Sequence, residues 1–166
     1  MALIEIAKLD TVIEKQKKVL GLDLGSKTIG LALGDYIHSI ATPIGTIKRS
    51  KFSKDAEVLS KIIKEHDIGA LIIGLPVNMD GTEGARAQST RAFVRNFLNI
   101  YDIPCAFWDE RLSTKAAERI LLEADCSRVK RAKNIDKMAA SFLLQGALDY
   151  IKNNSSLPKE NHEHIN

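Results

Sequence analysis

Asp23 interrupts an otherwise apolar stretch, VLGLDLG over residues 19–25, and its neighbours Gly21 and Gly25 leave room for a ligand or another backbone to come close. A carboxylate set among Val19, Leu20, Leu22 and Leu24 needs a partner; it either caps the Gly25-Ser26-Lys27 turn or serves chemistry. Asp109 and Glu110 close a second apolar run, CAFW. Side chains alternate along a strand, so only one of these two acids can point the way Trp108 does not, and the sequence leaves open which. Both would equally favour the dipole of a following helix. Asp136 heads a series, Ala139, Ala140, Leu143, Leu144 and Ala147, at offsets 3, 4, 7, 8 and 11, which is one face of a helix. It is therefore an acid on a core-facing stripe, or else a first-turn acid with Asn134 as the cap.

Acids from two strand ends and one helix start can converge on a point, and convergent carboxylates repel one another. Such a cluster is stable when it binds hard divalent cations, Mg²⁺ or Mn²⁺, which take carboxylate, water and phosphate oxygens. Two ions ~3.5–4 Å apart would stabilise the attacking and leaving oxygens of an in-line phosphodiester displacement. Cys105 and Cys126 lie far apart with no second Cys or His at ligand spacing, so they read as reduced thiols rather than as a zinc site or a disulfide. Phosphate contacts are expected from Lys27, Arg111 and Lys115, each within a few residues of an acid. Arg86, seven residues before Phe93 on the same helical face, is a further candidate. Arg128, Lys130, Arg131 and Lys133 form a basic stretch, read as an exposed loop ahead of the Asp136 helix that could grip a nucleic-acid backbone.

These residues need a scaffold, and hydrophobic periodicity supplies one. VLGLDLG, a turn at SKT and IGLAL form a strand hairpin, followed by a weaker strand near residues 44–48. Ser53 is placed to cap a helix striped by Val58, Leu59, Ile62 and Ile63, and ALIIG reads as a covered parallel strand. After the loop LPVNMDGT, Thr82 is placed to cap a helix lined by Phe93, Val94, Phe97 and Leu98, and CAFW is a short strand in which Phe107 and Trp108 belong to the core. A helix carrying Leu112, Ala116, Ala117, Ile120 and Leu121 and a last helix over residues 135–151 complete the order. The expected class is α/β, a mixed five-stranded sheet of three antiparallel strands then two parallel, with helices on both faces.

Length sets the remaining bounds. The 166 residues suit one domain, expected over 19–151, with 1–18 as an N-terminal extension and 152–166 as a polar, disordered tail. The net charge of +3 is too mild to announce nucleic-acid binding by itself, so the distribution of charge matters more than its total. No apolar run approaches the ~20 residues that span a bilayer, and the first residues lack a secretory pattern, so a cytoplasmic address without membrane association is expected.

The segments LGLDLGSKTIGLAL, IIGLPVNMDGTEG, WDERLST and IDKMAASFLLQGALD resemble, in order and across most of the chain, the signature segments of the YqgF family, also called RuvX. The resemblance implies an RNase H-like fold and a nuclease acting on precursor 16S ribosomal RNA or on branched DNA. It also implies Asp23 and Asp136 as two metal-binding acids, with Glu110 as the third and Asp109 in reserve. The expected activity is metal-dependent 5′-end processing of precursor 16S rRNA. Holliday junction resolution is the alternative, and a non-catalytic nucleic-acid-binding ribosome-maturation factor is the rival from another class. Asp23-Leu24-Gly25 also suits the phosphate hairpin of sugar kinases and actin-like ATPases, but those close two related domains around a nucleotide and this chain has room for one. Monomer and homodimer both remain open, since symmetric junction cutting needs two sites and RNA trimming needs one.

Overall fold

The computed structural model describes residues 3–14, 16–35, 39–112 and 128–154, with side chains in the last range described from residue 138 onward. The helix expected over Ala116, Ala117, Ile120 and Leu121 lies outside the described residues, as do Lys115, Cys126 and the tail beyond Asn154.

Five strands, β1 (Lys18–Leu24), β2 (Thr28–Asp35), β3 (Ile40–Lys48), β4 (Ile68–Leu75) and β5 (Cys105–Asp109), form one sheet in the order β3-β2-β1-β4-β5. β1, β2 and β3 are antiparallel neighbours, while β4 runs parallel to β1 and β5 parallel to β4, as the sequence pattern predicts. β4 is apolar or glycine at every position, and a parallel strand covered on both faces requires that. β3 is longer than expected and exposed along most of its length, because it forms the outer edge of the sheet.

Alternation along β1, β4 and β5 divides the core in two. Leu20, Leu22, Leu71, Ile73 and Cys105 face α1 (Phe52–Glu65) and α2 (Ala85–Leu98), meeting Leu59, Ile63, Phe93 and Phe97. Val19, Ala70, Ile72, Ala106 and Trp108 face α3 (Arg128–Asn154), whose Ala140, Leu143, Leu144 and Ala147 form the expected stripe. Close approach explains the small residues on this second face. A Cβ placed on Gly21 would stand 2.8 Å from the Leu144 Cβ and 3.3 Å from the Ala140 carbonyl oxygen.

Local expectations differ from the structure at several places. Ser53 lies inside α1 rather than capping it; Lys51 holds the cap position, and the buried Asp55 reaches back to accept from the Ser50 N–H at 3.0 Å. Thr82 does not cap α2 either, because its hydroxyl is taken by Asp80 at 2.6 Å and the helix starts later, with Gly84 at the cap. Arg128, Lys130 and Arg131 belong to the opening turns of α3, which begins there and not near Ile135, so the basic stretch is helical rather than a loop. The N-terminal residues form a 3-10 helix (Ile6–Thr11) with Leu9 fully buried, and Leu3 pairs in parallel with Cys105 on β5. No helix among the described residues is long and apolar enough to cross a membrane.

Gly21→Ala should destabilise the fold by about 1–3 kcal/mol, since a Cβ meeting another Cβ cannot be relieved by a rotamer change and must push α3 off the sheet. Urea denaturation would show this as a lowered midpoint with an unchanged m-value.

Candidate active site

Asp23 is the penultimate residue of β1, half-buried, at the carboxyl end of the strand and on the face covered by α3. The parallel strands end at the same place, with Gly74 opposite Trp108 and Leu75 opposite Asp109. Just past β5 the chain tightens into a 3-10 turn (Glu110–Leu112) that throws the Glu110 side chain back across β4. It lies in the space a side chain at position 74 would fill: a Cβ on Gly74 would stand 2.5 Å from Glu110 Oε1 and 3.0 Å from Leu143 Cδ2. There Glu110 is hydrogen-bonded to Asp23. Two carboxyl groups can share such a bond only if one of them keeps its proton. Burial pushes Glu110 up to about 7, the neighbouring Asp23 charge pushes the same way, and Arg86 opposes both.

Asp109 has a different setting. Its carboxylate is bound by Arg111, with Nη2 at 2.7 Å and Nε at 3.1 Å, and this hydrogen-bonded guanidinium holds Asp109 below the usual carboxylate range. Of the two acids at the end of β5, Glu110 is thus the one that joins Asp23. Asp136 is carried by α3, whose register can be followed along the sheet. Gly34 meets Leu144 and Leu148, and Gly21 meets Ala140 and Leu144. As residue numbers fall, the helix therefore advances toward the carboxyl end of β1, and Asp136 is the next residue of that stripe, one turn before Ala140. Its side chain lies outside the described ones, and among the described residues no group of three His, Cys, Asp or Glu side chains could hold a metal ion.

On the other side of Asp23 opens a polar cleft of about 560 Å³, lined by the 24–28 turn, Arg49 and the Arg86, Ser89 and Thr90 side of α2. Lys27 and Arg86 both line it and both are exposed, so these two expected phosphate contacts come together beside the acid. Arg111 sits apart, paired with Asp109 and near the Asn78 carbonyl of the loop after β4. Arg128, Lys130 and Arg131 are placed only as positions on α3. The sequence reading missed Arg49. Its one signal was its place after β3, because antiparallel pairing sets the residue beyond that strand's end beside the β1–β2 turn. Phe107 and Trp108 are core-facing as expected: Trp108 is buried edge-on to Tyr150, and Phe107 lies beneath the Arg91 guanidinium.

A family model described as RuvX, Holliday junction resolvase, matches residues 17–150. A protein of Paramagnetospirillum magneticum curated under the name "Putative pre-16S rRNA nuclease" is 53% identical over 149 residues, covering 90% of this chain and 96% of the relative. One of the same name from Rhodobacter capsulatus is 60% identical over 129 residues, covering 78% of this chain and 81% of its own length. Among solved structures, RuvC of T. thermophilus in complex with a Holliday junction substrate superposes with a TM-score of 0.55 at 14% identity, covering 84% of this chain and 98% of that one. At that identity the likeness is one of fold, and the fold is the RNase H-like one of the resolvases.

Glu110 holds its proton up to about 7 in the folded chain, against an ordinary 4.5. Between those values the folded state binds a proton that the unfolded state has released, so this group's contribution to stability is present at low pH and declines as pH rises through the window. Melting temperatures in EDTA should therefore fall in the native chain relative to Glu110→Gln between pH 4.5 and 7. A constant difference across that range would contradict the shared-proton arrangement.

Proposed function

This chain belongs to the RuvX family, and from that premise we propose that it is a metal-dependent endonuclease that hydrolyses nucleic-acid phosphodiester bonds in the 5′-end processing of precursor 16S rRNA. The observation that carries the reading is the meeting of Asp23 and Glu110 at the carboxyl ends of the sheet strands, in the slot left by Gly74. Relatives that match it over almost their whole length carry the corresponding name.

The donor set suits a hard cation. Carboxyl oxygens that must share a proton when they stand alone are freed of that repulsion by Mg²⁺ or Mn²⁺, and no thiol or imidazole competes for the position among the described residues. Asp23, Glu110 and Asp136 would hold the ions, two being the number that suits in-line displacement. Bound divalent cations supply an activated water and neutralise charge on the phosphodiester. The chain itself does the rest. Asp23 is fixed by strand pairing to Gly30 on β2, and the preceding Leu22 pairs with Ile73 on β4, so the carboxylate is held by sheet geometry rather than by a loop. Glu110 must release its proton before it can ligate, and Arg86 favours that release. Lys27 and Arg86 would contact phosphates in the cleft, while Arg111, Lys115, Arg128, Lys130 and Arg131 would extend the contact to either side.

The resolvase-like fold supports a second reading, cleavage of branched DNA. Side-by-side digestion of a precursor 16S 5′ leader and a four-way DNA junction separates the two, and binding to either without cleavage would support a non-catalytic role. Asp23→Asn should abolish divalent-dependent cleavage while leaving nucleic-acid binding in EDTA largely intact; an active Asn variant refutes the site. Gly74→Ala should lower cleavage about 10²-fold by displacing Glu110 from its slot, since misplacement by about 1 Å costs on that order. Steady-state rates with circular dichroism as a folding control would measure it.

A further inference from the structure

Arg49 is the first residue past β3, and its backbone N–H donates to the Lys27 carbonyl at 2.9 Å, which ties it to the β1–β2 turn. Its half-buried side chain is held on two sides. Nη1 donates to the Gly25 carbonyl at 2.7 Å, and the guanidinium carbon stands 5.7 Å from the centre of the Phe93 ring on α2. A guanidinium carries several N–H donors, of which the Gly25 carbonyl takes one, and a group already fixed in place loses little freedom on meeting an anion.

Charge is distributed unevenly among the arginines. Arg91 and Arg111 are neutralised by Glu83 and Asp109. Neither Arg49 nor Lys27 forms an ion pair among the described residues, and both line the cleft that Arg86 enters from α2 and that ends at Asp23. A cleft of about 560 Å³ with this lining is large enough for a nucleotide and its phosphate.

We propose that Arg49 is a positioning residue for the strand to be cut: it binds a backbone phosphate next to the scissile one, with Arg86 on the facing helix, and so leads the strand along the cleft to Asp23. This rests on the nuclease reading of the acids. A stapling role for Arg49, confined to holding the Gly25 turn, is the structural alternative and makes different predictions.

The test compares Arg49→Gln and Arg49→Lys in the full chain. Affinity for a short fluorescein-labelled single-stranded RNA is measured in EDTA across a KCl series, melting temperature is recorded, and kcat and KM are measured on the precursor 16S leader with Mg²⁺. Arg49→Gln should weaken binding about tenfold, reduce the slope of log K against log salt by about one, and raise KM far more than it lowers kcat. Arg49→Lys, which keeps the charge, should retain the native slope. An unchanged slope and KM in Arg49→Gln overturns the proposal. So does a parallel loss of melting temperature and kcat in both variants without a change of slope, which is the mark of a staple. If RNA binding depends on Arg49 but the native chain cleaves neither leader nor junction with Mg²⁺ or Mn²⁺, the nuclease reading fails and the phosphate contact stands.

Discussion

Two carboxyl groups in contact are costly to bring together, and at the end of this sheet the fold sets the Asp23 and Glu110 side chains against each other. Asp23 stands on β1 and Glu110 just past the end of β5, with β4 between them, so their meeting requires that the intervening strand present no side chain there. Gly74 meets that requirement. The result is a site whose resting state stores a proton and whose acids are brought together by strand order.

The same face of the sheet depends on small residues a second time. Gly21 lets α3 lie close against β1, with Leu144 and the Ala140 backbone in near contact. A helix set that low is aimed by the sheet itself, and the turn before Ala140 advances toward the strand ends where Asp23 stands. The opposite face is built differently, from large side chains: Phe52, Phe93, Phe97 and Tyr101 make a chain of ring contacts that sets α2, and therefore Arg86, at the cleft. Close packing by absence of side chains serves the acids, and bulk packing serves the cations.

Much of this was legible in the residues. Unbroken apolar runs separated by helical stripes specify a covered mixed sheet, and an aspartate inside the first run is conspicuous because nothing in a strand core can pay for it locally. The choice between Asp109 and Glu110 was not legible, because strand alternation stops at the 3-10 turn that redirects Glu110, and because the Arg111 partner of Asp109 is one of several nearby cations. Ser53 and Thr82 were poor guides for a similar reason. Each can cap a helix, but Asp55 and Asp80 had already closed the local hydrogen bonds. Arg49 could not be found by periodicity at all, since its importance comes from a turn 24 residues earlier in the chain.

The pairing of Leu3 with Cys105, reinforced by the Ile4 N–H donating to the Cys105 carbonyl at 2.9 Å, bears on how the molecule meets others of its kind. β5 is the last strand of the sheet on that side and would otherwise offer a row of open backbone groups to any extended chain. On the far side β3 carries Pro43, which has no N–H to give, a register shift opposite residues 31–32, and Gly45 in a conformation that bends the ladder. The borrowed segment covers β5 at Cys105 and β3 interrupts its own ladder near residues 43–45, so edge-to-edge pairing between copies of this chain is disfavoured at those positions.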